Sequence, residues 1–129
     1  MASIKNLEMA EALSQHQHIA IKKSLFSTKA VYTPTQSTLD ITTQEYTPAD
    51  GERMEHLLSL PLPKLEAELQ SKGKPAATPV GHFRLEAAVA KDRQFAAVQL
   101  FRFVDFEYKP ASELCIAEGT EAESLIKLL

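Results

Sequence analysis

Four groups of side chains have the types from which protein chemistry is built. The first is His16-Gln17-His18. On a strand the two imidazoles would share one side, and with His56 and His82 they could offer nitrogen ligands to a zinc-like cation. On a helix they would face different ways. A His-x-His pair alone does not specify a metal, so no metal site is assigned. The second is Cys115, in the run Glu113-Leu114-Cys115-Ile116. A reactive thiol needs a thiolate-stabilising charge and a base in reach. Flanked by Leu114 and Ile116 in a β-like run, Cys115 reads instead as a small buried hydrophobe, inert and structural.

The third group is Glu86, Asp105 and Glu107, the carboxylates best placed for acid–base work. Asp105 and Glu107 stand two residues apart on one strand face, near the strand's end, and solvated edge charges account for them more simply. The fourth is the set of glycines. There are four, all isolated, and none opens a strand-to-helix turn that could cradle a phosphate. The sequence therefore assigns no catalytic residue and no cofactor, and an enzyme is the less favoured reading.

Charge narrows the partners. The net charge is −3, from 17 acidic and 14 basic residues. Nucleic-acid binders and polybasic membrane anchors need a clustered basic surface, and the only adjacent basic pair is Lys22–Lys23. Neither nucleic acid nor membrane is expected as a partner. One cysteine cannot form an internal disulfide. The opening MASIKNLEMAEAL lacks the apolar core of a signal peptide, and no run approaches the ~18 apolar residues of a membrane span. The cytoplasm is the expected location. At 129 residues, with 44% hydrophobic side chains, the chain has the size and apolar content of one domain, 1–129.

The elements that must position these side chains follow from periodicity and breakers. Ile4, Leu7, Ala10 and Leu13 recur at three-residue steps, which predicts an amphipathic helix over 3–15 capped by Ser3. Residues 16–24 fit either a helical extension or a strand. Two β-rich runs flank Thr33-Pro34-Thr35-Gln36 as a hairpin or meander. Thr47 is a good cap and Pro48 a good first residue for a helix burying Met54, Leu57 and Leu58. Pro61 and Pro63 break that run. A second helix carries Leu62, Leu65 and Leu69 and ends at Gly73. The stretch 72–79 is linker-like. Residues 82–90 and 95–108 form the strongest strand pair, around the turn Lys91–Gln94. Residues 112–117 add a short strand. Thr120-Glu121-Ala122-Glu123 reads as a capping box before a helix burying Ala122, Leu125, Ile126 and Leu129. The order is helix-β-β-helix-helix-β-β-β-helix. It predicts an α+β fold with a mostly antiparallel sheet of about five strands and helices on one face.

A turn centred on Asp92–Arg93 sets the register of the 82–108 hairpin. It pairs Ala90 with Phe95, Ala88 with Ala97, Glu86 with Gln99 and Arg84 with Phe101. Alternation then sends Phe83, Leu85, Ala87, Val89, Ala96, Val98 and Leu100 to a core face. The other face is mixed: His82, Arg84, Glu86 and Gln99 surround Phe95, Phe101 and Phe103. Three phenylalanines need cover, supplied by the N-terminal segment, a second copy or a ligand. The expected function is a small non-enzymatic interaction protein of the adaptor, chaperone-like or inhibitor type. It would self-associate as a homodimer, or bind another protein, through His82, Arg84, Glu86, Gln99, Phe101 and Phe103. The alternative is a ligand-binding or minor enzymatic domain with that face as a pocket wall. Small acidic export chaperones share a loosely similar helix–sheet–helix order, an analogy of architecture only.

Overall fold

The computed structural model describes residues 4–129, so the Ser3 cap lies outside the described residues. Its frame is one antiparallel sheet of seven strands. In chain order these are β1 (Ile19–Lys23), β2 (Thr28–Tyr32), β3 (Ser37–Tyr46), β4 (Phe83–Ala90), β5 (Phe95–Val104), β6 (Glu107–Pro110) and β7 (Cys115–Glu118). Each of β1 to β5 pairs with the next. The outer edge of β5 is then shared, with β7 against Phe95–Val98 and β6 against Phe101–Val104.

Two of the seven strands go beyond the expected five, one left open by the sequence and one not expected. Residues 19–23 extend as β1, which resolves the helix-or-strand ambiguity over 16–24 in favour of the β-branched alternation of Ile19 and Ile21. The run 95–108 is not one long strand. It folds back at Asp105–Phe106, where both residues take positive φ, +52° and +64°. Two consecutive positive φ values are the I′ hairpin pattern, which asparagine and glycine normally mark. Asp-Phe gives no such signal in sequence.

The three longer-range helical elements cover one face of the sheet. They are α2 (Pro48–Leu58), α3 (Leu62–Lys72) and α4 (Ala122–Ile126). At α2, the Thr47 hydroxyl accepts from the Asp50 N–H and Pro48 opens the helix. Gly51 lies where a Cβ would run into the Phe83 ring, so this turn of α2 sits directly on β4. Met54, Leu57, Leu58 and Leu65 pack on Phe83, Leu85, Ala87, Val98 and Leu100. The capping box at 120–123 does not form. No side chain caps α4, and the Glu123 carboxylate instead takes a two-point contact from Arg93 in the β4–β5 turn, at 2.5 and 2.9 Å. Leu128 is fully buried where Leu129 was expected, because the last turn tightens past Ile126. The Leu128 N–H donates to the Leu125 carbonyl and the Leu129 N–H to the Ile126 carbonyl, which brings Leu128 onto the Leu125 face.

The opposite face is covered by the N-terminal segment, so the helices are not all on one side. The predicted helix is much shorter. A 3-10 turn spans Ile4–Asn6, and α1 is only Ala10–Ser14. The apolar stripe nonetheless packs as its spacing requires. Ile4, Leu7, Met9 and Leu13 are buried against Ala88, Ala97, Phe95 and Phe101.

Candidate functional site

The β4–β5 register has the cross-strand pairs that the Lys91–Gln94 turn implies. Arg84 faces Phe101, Glu86 faces Gln99 and Ala88 faces Ala97. Arg93 takes φ +62° in that turn, and the Asp92 carboxylate accepts from the Gln94 N–H at 3.1 Å. The mixed face therefore exists as drawn from the sequence, and the structure places its members in two different environments.

The inner part lies beneath the N-terminal segment. Phe101 is 3% exposed, and Phe95 is fully buried, stacked on Tyr32 at 5.1 Å. Glu86 is fully buried. Its carboxylate accepts the Glu8 N–H at 3.0 Å and the Met9 N–H at 2.9 Å, on separate oxygens, and Arg84 Nη2 donates to it at 2.7 Å. Gln99 donates to the Ser112 carbonyl at 3.0 Å. Buried polar groups must be matched in this way, because an unpaired one costs about 1–3 kcal/mol. Glu86 thus ties the N-terminal segment to the sheet. Both of its oxygens accept from this chain's own donors, and the carboxylate is closed off from solvent.

The outer part is open. His82 is exposed and Phe103 is 43% exposed. Phe103 meets Tyr108 across the β5–β6 pair, edge to face at 5.0 Å, and the Arg84 guanidinium lies 3.9 Å over the Tyr108 ring. At the hairpin tip Phe106 is 95% exposed. Tyr108 and Phe106 were missed by sequence reasoning, since seeing them required the chain reversal at Asp105–Phe106. A second exposed apolar tip joins β1 to β2, where Leu25 is 88% and Phe26 93% exposed.

The other candidates are dispersed. The His16 and His18 rings are edge to face at 5.5 Å. His18 Nδ1 donates to the Glu118 carboxylate at 2.6 Å, and this bond holds the Glu118 pKa below the ordinary 4.5. His56 sits on α2 and His82 before β4, and no group of three or more His, Cys, Asp or Glu converges on one point among the described residues. Asp105 and Glu107 occupy the exposed hairpin end. Cys115 is half-buried rather than fully buried, because β7 is an edge strand at that end. Burial, and secondarily Glu113, push its thiol pKa up, and its Sγ lies within reach of the Leu58 and Glu113 carbonyls.

Two larger clefts lie away from the mixed face. One, of about 610 Å³, runs between the end of α2 and residues 111–115, past His56 and Cys115. The other, of about 530 Å³, lies between β2 and β3. Neither is lined by Arg84, Glu86 or Gln99. No helix among the described residues is long and apolar enough to cross a membrane. Compared with family models, curated proteins and solved structures, the chain matches none. The fold and this face therefore define the chain as an antiparallel α+β protein with an aromatic hairpin end open to solvent.

Proposed function

We propose that this chain is a small non-enzymatic interaction protein of the adaptor, chaperone-like or inhibitor type, working as a homodimer through the aromatic end of the β5–β6 hairpin. The observation that carries the reading is Phe106. Its ring is in water, and its backbone is left-handed at φ +64°. For a bulky residue that conformation costs about 1–2 kcal/mol. Asparagine or glycine would spare the cost, and a polar side chain would spare the exposure. Burying the ring against another surface offsets both.

Phe103, Tyr108 and Arg84 form a contiguous group at the same end of the β5–β6 hairpin. Aromatic residues and arginine are the types that dominate interface centres. A second copy brings the same set, and a two-fold axis through the hairpin would lay ring on ring. The inner residues Glu86, Gln99 and Phe101 support this surface from beneath rather than meeting the partner. Phe101→Asp would therefore unfold the chain and is not a usable probe.

The test is Phe106→Gly, compared with wild type by sedimentation over a concentration series. Glycine suits the I′ turn, so the variant should be as stable as wild type or more so, yet remain monomeric where wild type dimerises. A wild type that is monomeric throughout, or a variant that associates equally, defeats the proposal.

A further inference from the structure

The cleft between β2 and β3 is a gap in the sheet. The two strands pair at only two positions, Val31 with Thr38 and Tyr32 with Ser37, and then part. Backbone alternation fixes which groups face the gap. The His18 carbonyl accepts from Thr33, which turns Val31 and Lys29 toward β1 and leaves Ala30 and Thr28 facing β3. The Thr38 and Tyr46 carbonyls accept from Lys91 and His82, while the Glu45 carbonyl turns the other way to accept from Thr78. Leu39, Ile41 and Thr43 therefore point their N–H and C=O groups away from β4, into the gap. Beyond β4, none of these three has a strand partner among the described residues.

Two rows of backbone groups thus face one another across a cleft of about 530 Å³. Its apolar floor includes Ile4, Ala30 and Leu39, with Ile41 half-buried and Phe26 open at the mouth. Its polar rim carries three ammonium groups, on Lys5, Lys29 and Lys91, against the single carboxylate of Asp40. Lys91 already pairs with that carboxylate at 3.5 Å. A positive rim on a chain of net charge −3 is a local inversion of sign.

We infer that this gap receives an extended peptide of a partner protein, four to six residues long with apolar and acidic side chains alternating, which adds as a strand beside β3. Unpaired strand edges recognise partners by main-chain hydrogen bonds, and alternate side chains supply specificity. The peptide's apolar residues meet Ile4, Leu39 and Ile41, and its carboxylates meet the lysines. Five residues from Leu39 to Thr43 span about 15 Å of edge, which sets the length. This site stands apart from the hairpin surface proposed above and does not depend on it.

The probe is a fluorescein-labelled octapeptide of alternating glutamate and valine, titrated at physiological salt and followed by anisotropy and by amide NMR shifts. Binding is expected, with the largest shifts at Thr28, Ala30, Leu39, Ile41 and Thr43. A lysine–valine octapeptide should bind at least tenfold more weakly. Methylating alternate backbone nitrogens of the glutamate–valine probe should also cost at least tenfold, with the protein itself unchanged. Ile41→Pro removes a backbone donor that faces the gap, where an edge strand tolerates proline, and should reduce binding to a similar extent. Phe106→Gly should leave binding unchanged, so the two proposals fail separately. Absence of binding would mean that the lysines only guard the edge, and overturns the inference. So would equal binding of the methylated probe, dimerisation abolished by Ile41→Pro, or binding gained only on removing residues 1–3.

Discussion

Replacing Glu86 by glutamine tests how the N-terminal segment is held. The carboxylate is fully buried and accepts from two backbone N–H groups and one guanidinium, at 2.7–3.0 Å. Glutamine has nearly the same shape but only one oxygen. Turned to serve Glu8 and Arg84, it presents an NH2 group to the Met9 N–H. Turned the other way, it abandons both Glu8 and Arg84. At least one buried donor is orphaned, at about 2 kcal/mol. The charge-assisted bond to Arg84 also becomes a neutral-acceptor one, a loss of about 1 kcal/mol. The expected total is about 3 kcal/mol. At about 2.1 cal/mol/K of unfolding entropy per residue, a chain of this length should melt roughly 11 °C lower. The chain has no tryptophan, so urea and thermal unfolding are best followed by far-UV circular dichroism. Hydrogen exchange at the Glu8 and Met9 amides reports the segment directly and should accelerate in the variant. Glu86→Leu should cost more, because it leaves the Glu8 and Met9 N–H groups without their acceptor and leaves half-buried Arg84 only the longer contact to the Glu8 carboxylate at 3.7 Å. Adding Arg84→Met should recover part of that loss. A Glu86→Gln chain within about 0.5 kcal/mol of wild type, a margin set by ordinary surface substitutions, with unchanged exchange at both amides, would refute the claim that this carboxylate anchors the segment.

Two further outcomes follow from the titrating groups. The bond from His18 depresses the Glu118 pKa in the folded chain, so the pair stabilises the fold above the ordinary glutamate value of 4.5 and the contribution is lost as pH falls through the depressed value. Glu118→Gln should therefore lower stability near neutrality by about 0.5 kcal/mol, the scale of a partly exposed pair, and flatten the loss below about pH 4.5; a variant with an unchanged acid limb would contradict this. Burial raises the Cys115 thiol pKa, so native alkylation at mildly alkaline pH should run several-fold slower than for a free thiol and recover on unfolding. Labelling at the free-thiol rate in the native state would remove the argument.

Local patterns in the chain decided more of this fold than of its site. The α2 and α3 boundaries were legible because Thr47, Pro48 and Gly73 act within one helical turn. The β4–β5 register was legible because a polar four-residue turn fixes every later pair, and the alternation of Phe83, Leu85, Ala87 against Arg84, Glu86, Ala88 then separates the two faces. The stripe Ile4, Leu7, Leu13 was read as a helix face, and those residues do bury together. Their helix is largely replaced by turns, however, because a long-range partner, Glu86, takes the N–H groups of Glu8 and Met9. Tertiary contact overrode local propensity there.

Only the assembled sheet decided what became of the mixed face. Sequence alone could show that Phe95, Phe101 and Phe103 required cover. That the cover is the chain's own first turn, leaving Phe103 outside and Phe101 inside, depends on contacts across more than 75 residues. The reversal at Asp105–Phe106 was illegible, since its residues lack the asparagine–glycine signature and its positive φ values are imposed by pairing on either side. The gap between β2 and β3 was illegible for a related reason. Alternation states which way each backbone group points, and only the positions of neighbouring strands determine whether another strand is there to meet it.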